Sequence, residues 1–362
     1  MTRAGRIAAV AGGILAVGLL AWSFRVASTA GVFTDVTPGF AGTCATVRGI
    51  VGAEDIAVDR KTGLAFLSAT DRRAPKDHPN PQDGLYIFQP GHPERGVTRL
   101  SGTPKDFHPH GIGLWRGGNG ALTLMAVNHR SDGSSTVDVF TVKQTANADG
   151  TMSAALSETA SVQSSLLVRP NDVAPTGPDS FYVTNSHTST TAFGRFLETW
   201  LLVPRANVIY YDGQIPKVVA NGLRFANGVA LSPDGGRLYV AETLGRDIVT
   251  YDRQPISGAL SETSRFSISA GLDNIDVDTD GTLWVAGHPK LFAFLGYQGD
   301  PAKPSPSEIF KVDVDNGVPV AAHAIFTDLG SRIGAASVGV RSGGRLLIGS
   351  VFDPKILDCT MR

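Results

Sequence analysis

Hydrophobic and polar positions alternate in short bursts along most of the chain. Runs such as GLAFLSA (63–69), LTLMAVNH (122–129), SFYVTNSH (180–187), RLYVAET (237–243), TLWVAGHP (282–289) and RLLIGSV (345–351) are apolar and bounded by Gly, Pro, Asn, Asp or Ser. That is the pattern of buried strands between turns. Each run follows a shared motif, a pair of small, polar or acidic residues and then a β-branched one: Glu54-Asp55-Ile56, His110-Gly111-Ile112, Asn171-Asp172-Val173, Asn227-Gly228-Val229, Asp273-Asn274-Ile275 and Ala336-Ser337-Val338. The first positions differ by 56, 61, 56, 46 and 63, the size of a four-stranded blade with generous loops. Pro233-Asp234-Gly235-Gly236 and Asp280-Gly281 supply hairpin turns between paired strands. The prediction is an all-β chain: a six-bladed β-propeller over about residues 36–362, in one domain (31–362) that no linker divides.

The N-terminus breaks this pattern. Ile7–Phe24 runs 18 residues without a charge between Arg6 and Arg25, about 27 Å of helix and just enough to cross a thin bilayer. Segment 1–30 is therefore read as a signal-anchor, or as a signal peptide cleaved at Ser28-Thr29-Ala30; either way the rest of the chain is exported. The two cysteines, Cys44 and Cys359, stand 315 residues apart. In an oxidising compartment they are a disulfide clasping the ends of one domain, or two unrelated buried thiols. Composition narrows the partners. A hydrophobic share of 42% excludes a disordered chain, and 32 basic against 33 acidic residues leave no charge excess for nucleic acid.

Equivalent positions in blades point to equivalent places, so the first residue of each repeat pair is expected at the mouth of the central channel. Those residues are Glu54, His110, Asn171, Asn227, Asp273 and Ala336, five of which can ligate a metal or move a proton. Any one alone has an ordinary explanation as a turn or strand-end cap. Their common phase is what points to a site. Two carboxylates with amide oxygens and no thiolate suit Ca2+ better than Zn2+, and Asn274 adds another amide. Asp55 and Asp172, one step along the same strands, would support a second ion deeper in the channel, completed by the backbone carbonyl of Ile112. His110 and His129, on neighbouring strands of one blade, can relay a proton. His187 and His288 end the equivalent strands of later blades and are expected to line the pocket. There is no G-x-S-x-G elbow, P-loop, C-x-x-C or H-E-x-x-H in the sequence.

The stretches GAEDIAVD (52–59), HPHGIGL (108–114), AVNH (126–129), RPNDVAPTG (169–177), FANGVALSPDG (225–235), GLDNIDVD (271–278), LWVAGHP (283–289) and LLIGSVFDPKILDC (346–359) together resemble the paraoxonase/arylesterase family of calcium-dependent lactonases and esterases. The resemblance implies a six-bladed propeller with two calcium ions, a Cys44–Cys359 disulfide and an N-terminal apolar segment that is often retained. It implies a catalytic calcium on Glu54, Asn171, Asn227, Asp273 and Asn274, a structural calcium on Asp55, Asp172 and the Ile112 carbonyl, and a catalytic pair, His110 and His129. Two departures stand out. Many relatives have an acid where this chain has Ser186, before His187, which removes a carboxylate that would orient His129. The first blade also carries a polar insertion, Asp71–Asp83 (DRRAPKDHPNPQD), near the pocket rim, which bears on substrate choice.

The implied reaction is hydrolysis of a small-molecule lactone or carboxylic aryl ester. Calcium would bind the carbonyl oxygen, and His110, assisted by His129, would deprotonate water. Thr188–Val203 spaces Phe193, Phe196, Leu197, Trp200 and Leu201 along one helix face, either packed on the propeller or forming an apolar lid or membrane contact. The exported protein is expected at a periplasmic or extracellular face, held by its N-terminal segment, or secreted if that segment is cleaved. Three rivals remain: a gluconolactonase-like sugar lactonase with one ion and a more polar pocket, a strictosidine-synthase-like propeller without the metal ring, and a non-enzymatic ligand-binding propeller.

Overall fold

The repeat read along the chain becomes six antiparallel sheets in the computed structural model, which describes residues 2–75 and 80–362. Their inner strands are Ala53–Val58, Pro109–Arg116, Pro170–Pro175, Ala226–Leu231, Gly271–Val277 and Ala336–Ser342. Each begins a four-stranded meander, numbered here as blades 1 to 6. Blade 6 has only three strands from the C-terminal sequence. Its outermost strand is Gly42–Arg48, borrowed from the N-terminal side and paired with Lys355–Met361, so that Cys44 lies opposite Cys359. The two cysteines are joined by a disulfide. Gly39–Phe40 adds a fifth strand to blade 5. The ring thus closes non-covalently and covalently at one seam, which removes the open sheet ends of a linear stack.

Apolar residues from facing sheets fill the six gaps between blades. Ile56 and Leu67 of blade 1 meet Val340 and Leu347 of blade 6, and Val208 and Tyr182 of blade 3 meet Val240 and Val249 of blade 4. Four further clusters repeat this at the other seams. Alternation along each strand therefore sends both faces into core, which explains why the strands read as nearly continuous apolar runs.

Long connections are confined to one end of the propeller. They join the second and third strands of blades 1, 3 and 5, at the end where the inner strands begin. Blade 1 contributes the polar insertion, of which residues 76–79 lie outside the described residues. Blade 3 contributes helix α2 (Ala192–Trp200), shorter than the stretch 188–203 expected from spacing, because Thr191 caps it by accepting from the Gly194 N–H. Blade 5 contributes helix α3 (Leu291–Gly299). The N-terminal helix α1 (Arg3–Thr29) is long and apolar enough to cross a membrane. Its C-terminal end docks on the same side: Ala30 O accepts from Leu291 N at 3.0 Å, Ser28 O from Arg246 at 2.6 Å, and Trp22 Nε1 donates to Trp200 O at 2.8 Å.

Candidate active site

All six inner strands carry a bulge near their first residues. In blade 1 the ladder passes from Ala53 to Asp55, in blade 2 from Pro109 to Ile112, in blade 3 from Pro170 to Val173, and in blade 4 from Ala226 to Val229. Blade 5 skips Asp273 and Asn274 and blade 6 skips Ser337. A bulge frees backbone from the ladder and re-aims side chains. The repeat motif is therefore a bulge motif, and it delivers Glu54, His110, Asn171, Asn227, Asp273 and Asn274 to the channel mouth. Glycine follows in blades 2 and 4 for steric reasons: a Cβ on Gly111 would come within 2.4 Å of Asp172, and one on Gly228 within 2.7 Å of the Asn274 Cα. The sixth repeat departs from the expected phase, which had put Ala336 at the mouth. Ala336 is buried and paired with Ser350, and it is Ser337 whose hydroxyl reaches the ring, donating to the Glu54 carbonyl at 2.6 Å.

The mouth is lined by oxygens without partners. Glu54 Oε2, Asn171 Oδ1, Asn227 Oδ1 and Asn274 Oδ1 are buried and accept no hydrogen bond. Two of the amides are oriented from behind: Asn227 Nδ2 donates to Thr243 at 3.0 Å, and Asn274 Nδ2 to Glu54 Oε1 at 2.9 Å. Asp273 Oδ2 accepts from His288 Nε2 at 2.8 Å. Buried oxygens left unpaired are costly, and a hard cation satisfies them. Among the described residues no group of three or more His, Cys, Asp or Glu forms a metal cluster, so the fit depends on the amides. One layer deeper, Asp55 and Asp172 are buried, and burial together with neighbouring carboxylates pushes both carboxyls well above their usual range. They border a channel cavity of about 250 Å3 that also touches Ile112, Val229 and Asp276.

Beside this ring, His110 Nδ1 lies 3.0 Å from His129 Nε2, and His110 Nε2 lies 3.5 Å from Glu54 Oε1. Burial, with His110, Arg72 and Arg169 adding positive charge, holds the His129 imidazole well below its ordinary value. Its Nδ1 meets Ser135 Oγ at 3.0 Å. Ser135 thus bonds the His129 nitrogen that no acid at position 186 is available to meet; it was not singled out from the sequence, since a serine at a strand start has no distinguishing signal. Ser186 turns back onto Arg169 O. His187 bonds Thr199 of α2 at 3.0 Å, tying that helix to the mouth. His288, expected as pocket lining, is only 3% exposed and serves Asp273 from behind.

The arylesterase family model matches residues 89–361. The chain is 32% identical over 338 residues to serum paraoxonase/arylesterase 1 of Rattus norvegicus, covering 88% of this chain and 89% of that protein. It is 30% identical over 330 residues to serum paraoxonase/arylesterase 2 of the same organism, covering 88% of each. Among solved structures, a luciferin-regenerating enzyme is similar in fold, with a TM-score of 0.53 at 15% identity over 88% of this chain and 95% of that one.

Proposed function

The chain belongs to the arylesterase family and is an esterase/lactonase, and from that premise we propose that it hydrolyses small-molecule lactones and carboxylic aryl esters at the bulged mouth of the channel, dependent on calcium. The observation that carries this reading is the set of four unpaired buried oxygens, from Glu54, Asn171, Asn227 and Asn274, beside a bonded histidine pair. With Asp273 they would hold a catalytic calcium; Asp55, Asp172 and the Ile112 carbonyl would hold a structural one. When bound, calcium supplies Lewis-acid polarisation of the scissile carbonyl and charge stabilisation at its oxygen.

The side chains move the proton. His110 Nε2 takes a proton from the water whose oxygen attacks the carbonyl carbon, and returns it to the alkoxide or phenoxide released when the C–O bond breaks. Its Nδ1–H donates to His129 Nε2 meanwhile, and the His129 Nδ1–H in turn donates to Ser135 Oγ, so one tautomer is held throughout.

Apolar side chains ring this mouth. Phe193, Phe196 and Leu201 beside or on α2, and Phe292 and Leu295 on α3, are exposed, and α1 is tied to both helices. This supports an exported enzyme that keeps α1 as its anchor and meets lipophilic substrates at a membrane surface. Ala30 is buried and its carbonyl is in use by α3, so cleavage there would undo the docking. The disulfide fits a periplasmic or extracellular location.

The test is a rate panel on calcium-loaded protein and after chelation: an aliphatic γ- or δ-lactone, an acyl-homoserine lactone, phenyl acetate and gluconolactone. Chelator-sensitive turnover of the first three is expected. Preference for gluconolactone would favour the sugar-lactonase reading, and turnover of none would leave a binding propeller.

A further inference from the structure

The polar insertion of blade 1 begins with two arginines whose surroundings differ. Arg73 is an anchor. Its guanidinium lies over the rings of Tyr297 and Phe352, 4.5 and 4.8 Å from their centroids, and donates to Tyr297 O at 2.6 Å and Phe352 O at 3.2 Å. Its backbone N–H donates to Asp71 Oδ1, and the Asp71 N–H to Asp83 Oδ1 at 2.9 Å. The backbone on both sides of Arg72 is therefore pinned, to α3 and blade 6 on one side and to the return of the insertion on the other.

Arg72 itself turns into the mouth. Its side chain is 19% exposed; Nη1 donates to Gly52 O and Thr70 O at 3.5 and 3.3 Å, and Nη2 lies 3.9 Å from Glu54 Oε2, too far for a hydrogen bond. Charge counting then isolates it. With calcium bound at both sets, Glu54 and Asp273 would balance one dication and Asp55 and Asp172, once ionised by their ion, the other, which would leave the Arg72 guanidinium as positive charge without a dedicated counter-ion at the mouth. Asp83, the other acid whose charge reaches it, is bonded to His108 Nδ1 at 2.8 Å. Arg169, exposed two residues before Asn171, adds like charge from blade 3, so both Arg72 and Arg169 act on His129 of blade 2 as positive charge.

We propose that Arg72 is the specificity-determining residue of this pocket and that it selects lactones and esters carrying a second, ionised carboxylate. This rests on the hydrolase reading above. A planar guanidinium held by its backbone matches a carboxylate through two parallel N–H···O bonds, and a partly desolvated site strengthens them. The exposed phenylalanines and leucines of α2 and α3 then accommodate a hydrocarbon portion, so the substrate is an amphiphilic acid.

The experiment compares, on calcium-loaded full-length enzyme, a neutral γ-alkyl-γ-lactone with the same ring bearing a carboxylate, and uses phenyl acetate as reference. Wild type is expected to favour the carboxylated lactone by tenfold or more in kcat/KM. Arg72→Gln is expected to cost that substrate about 10- to 100-fold, chiefly in KM, against about threefold for the neutral one, and Arg72→Lys to restore part of the difference. Glutarate binding, followed by calorimetry, should weaken in parallel, which reads the anion site without turnover. Equal losses on both lactones with unchanged glutarate affinity would make Arg72 a transition-state or structural group and overturn the proposal. So would a wild-type preference for the neutral ring. Turnover of phenyl acetate but of neither lactone would sink the proposal and spare the hydrolase reading, whereas no turnover of any substrate would sink the hydrolase reading itself.

Discussion

Two layers of oxygen side chains lie in the channel, with Asp55 and Asp172 of the lower one directly following Glu54 and Asn171 of the upper one, and they differ in what their oxygens already hold. In the upper layer, Asn171, Asn227, Asn274 and Glu54 each keep one buried oxygen unused. In the lower layer, every carboxylate oxygen is employed. Asp55 accepts the N–H of Ile56 in its own blade and of Ile112 in the next, both at 2.8 Å; Asp172 accepts those of Val173 and Val229, both at 2.7 Å. The lower pair stitches blade 1 to blade 2 and blade 3 to blade 4, and the upper set leaves its valences to a ligand. A single bulge motif thus supplies a rigid layer and, just above it, an open one.

The sharpest way to break this contrast is graded removal of calcium. Full chelation is expected to lower activity more than 10³-fold and the melting temperature by more than 10 °C, because two pairs of buried carboxylates, Glu54 with Asp273 and Asp55 with Asp172, would lose their counter-charge. At intermediate chelator the open upper site should empty first, so activity falls while the melting temperature holds. Coincident loss of both, followed by parallel thermal scans and rate assays, would show that the layers are not separable.

Substitutions divide the same contrast by residue. Asn227→Ala is expected to reduce kcat/KM by about 10³-fold with a melting temperature within a few degrees of wild type, since it removes one unpaired oxygen and one bond to Thr243. Asp172→Asn should do the reverse in stability. Its new NH2 would face a backbone N–H where a carboxylate oxygen stood, costing about 2–4 kcal/mol and several degrees of melting temperature. A stable, inactive Asp172→Asn protein would exchange the roles of the layers.

An effect on rate without one on calcium is expected at the histidines. His110→Gln should lower kcat by about 10²- to 10⁴-fold with calcium affinity nearly intact, and His129→Gln should cost less. The ordering follows from reach: His110 faces Glu54 and the mouth, whereas the two His129 ring nitrogens bond His110 and Ser135. An equal or larger loss at His129, or loss of calcium binding in His110→Gln, would reassign one of them.

The common phase of Glu54, His110, Asn171, Asn227 and Asp273 was legible in the sequence because a blade repeats its geometry, and six strand runs announced six blades. The seam was half legible: the cysteines suggested a clasp, but nothing in Gly42–Arg48 marks it as the outer strand of blade 6, since its partner lies over 300 residues away. The exchange of Ala336 for Ser337 was hidden because a bulge moves a side chain by one position without changing the local apolar pattern. Arg72 was visible only as one charge in a polar insertion; its direction depends on Arg73 stacking against Tyr297 and Phe352, which are contacts between segments far apart in the sequence. The same holds for Ser135, whose meaning comes wholly from the ring it touches.

Ser135 yields the smallest effect and the finest test of the upper layer. Its hydroxyl lies 3.0 Å from His129 Nδ1, and in the proposed mechanism it accepts the Nδ1–H and fixes which nitrogen faces His110. A carboxylate in that place would also stabilise a charged His129; a hydroxyl cannot, so the contact contributes orientation and little charge. Removing one neutral hydrogen bond of this kind costs about 1 kcal/mol, or about fivefold in rate. Ser135→Ala is therefore expected to lower kcat by about fivefold, with KM and calcium affinity unchanged and with less loss than His129→Gln. A loss in Ser135→Ala as large as that in His110→Gln, measured on the same lactone, would mean that the proton travels through His129 to the hydroxyl and that the pair acts as a relay instead of a base and its support.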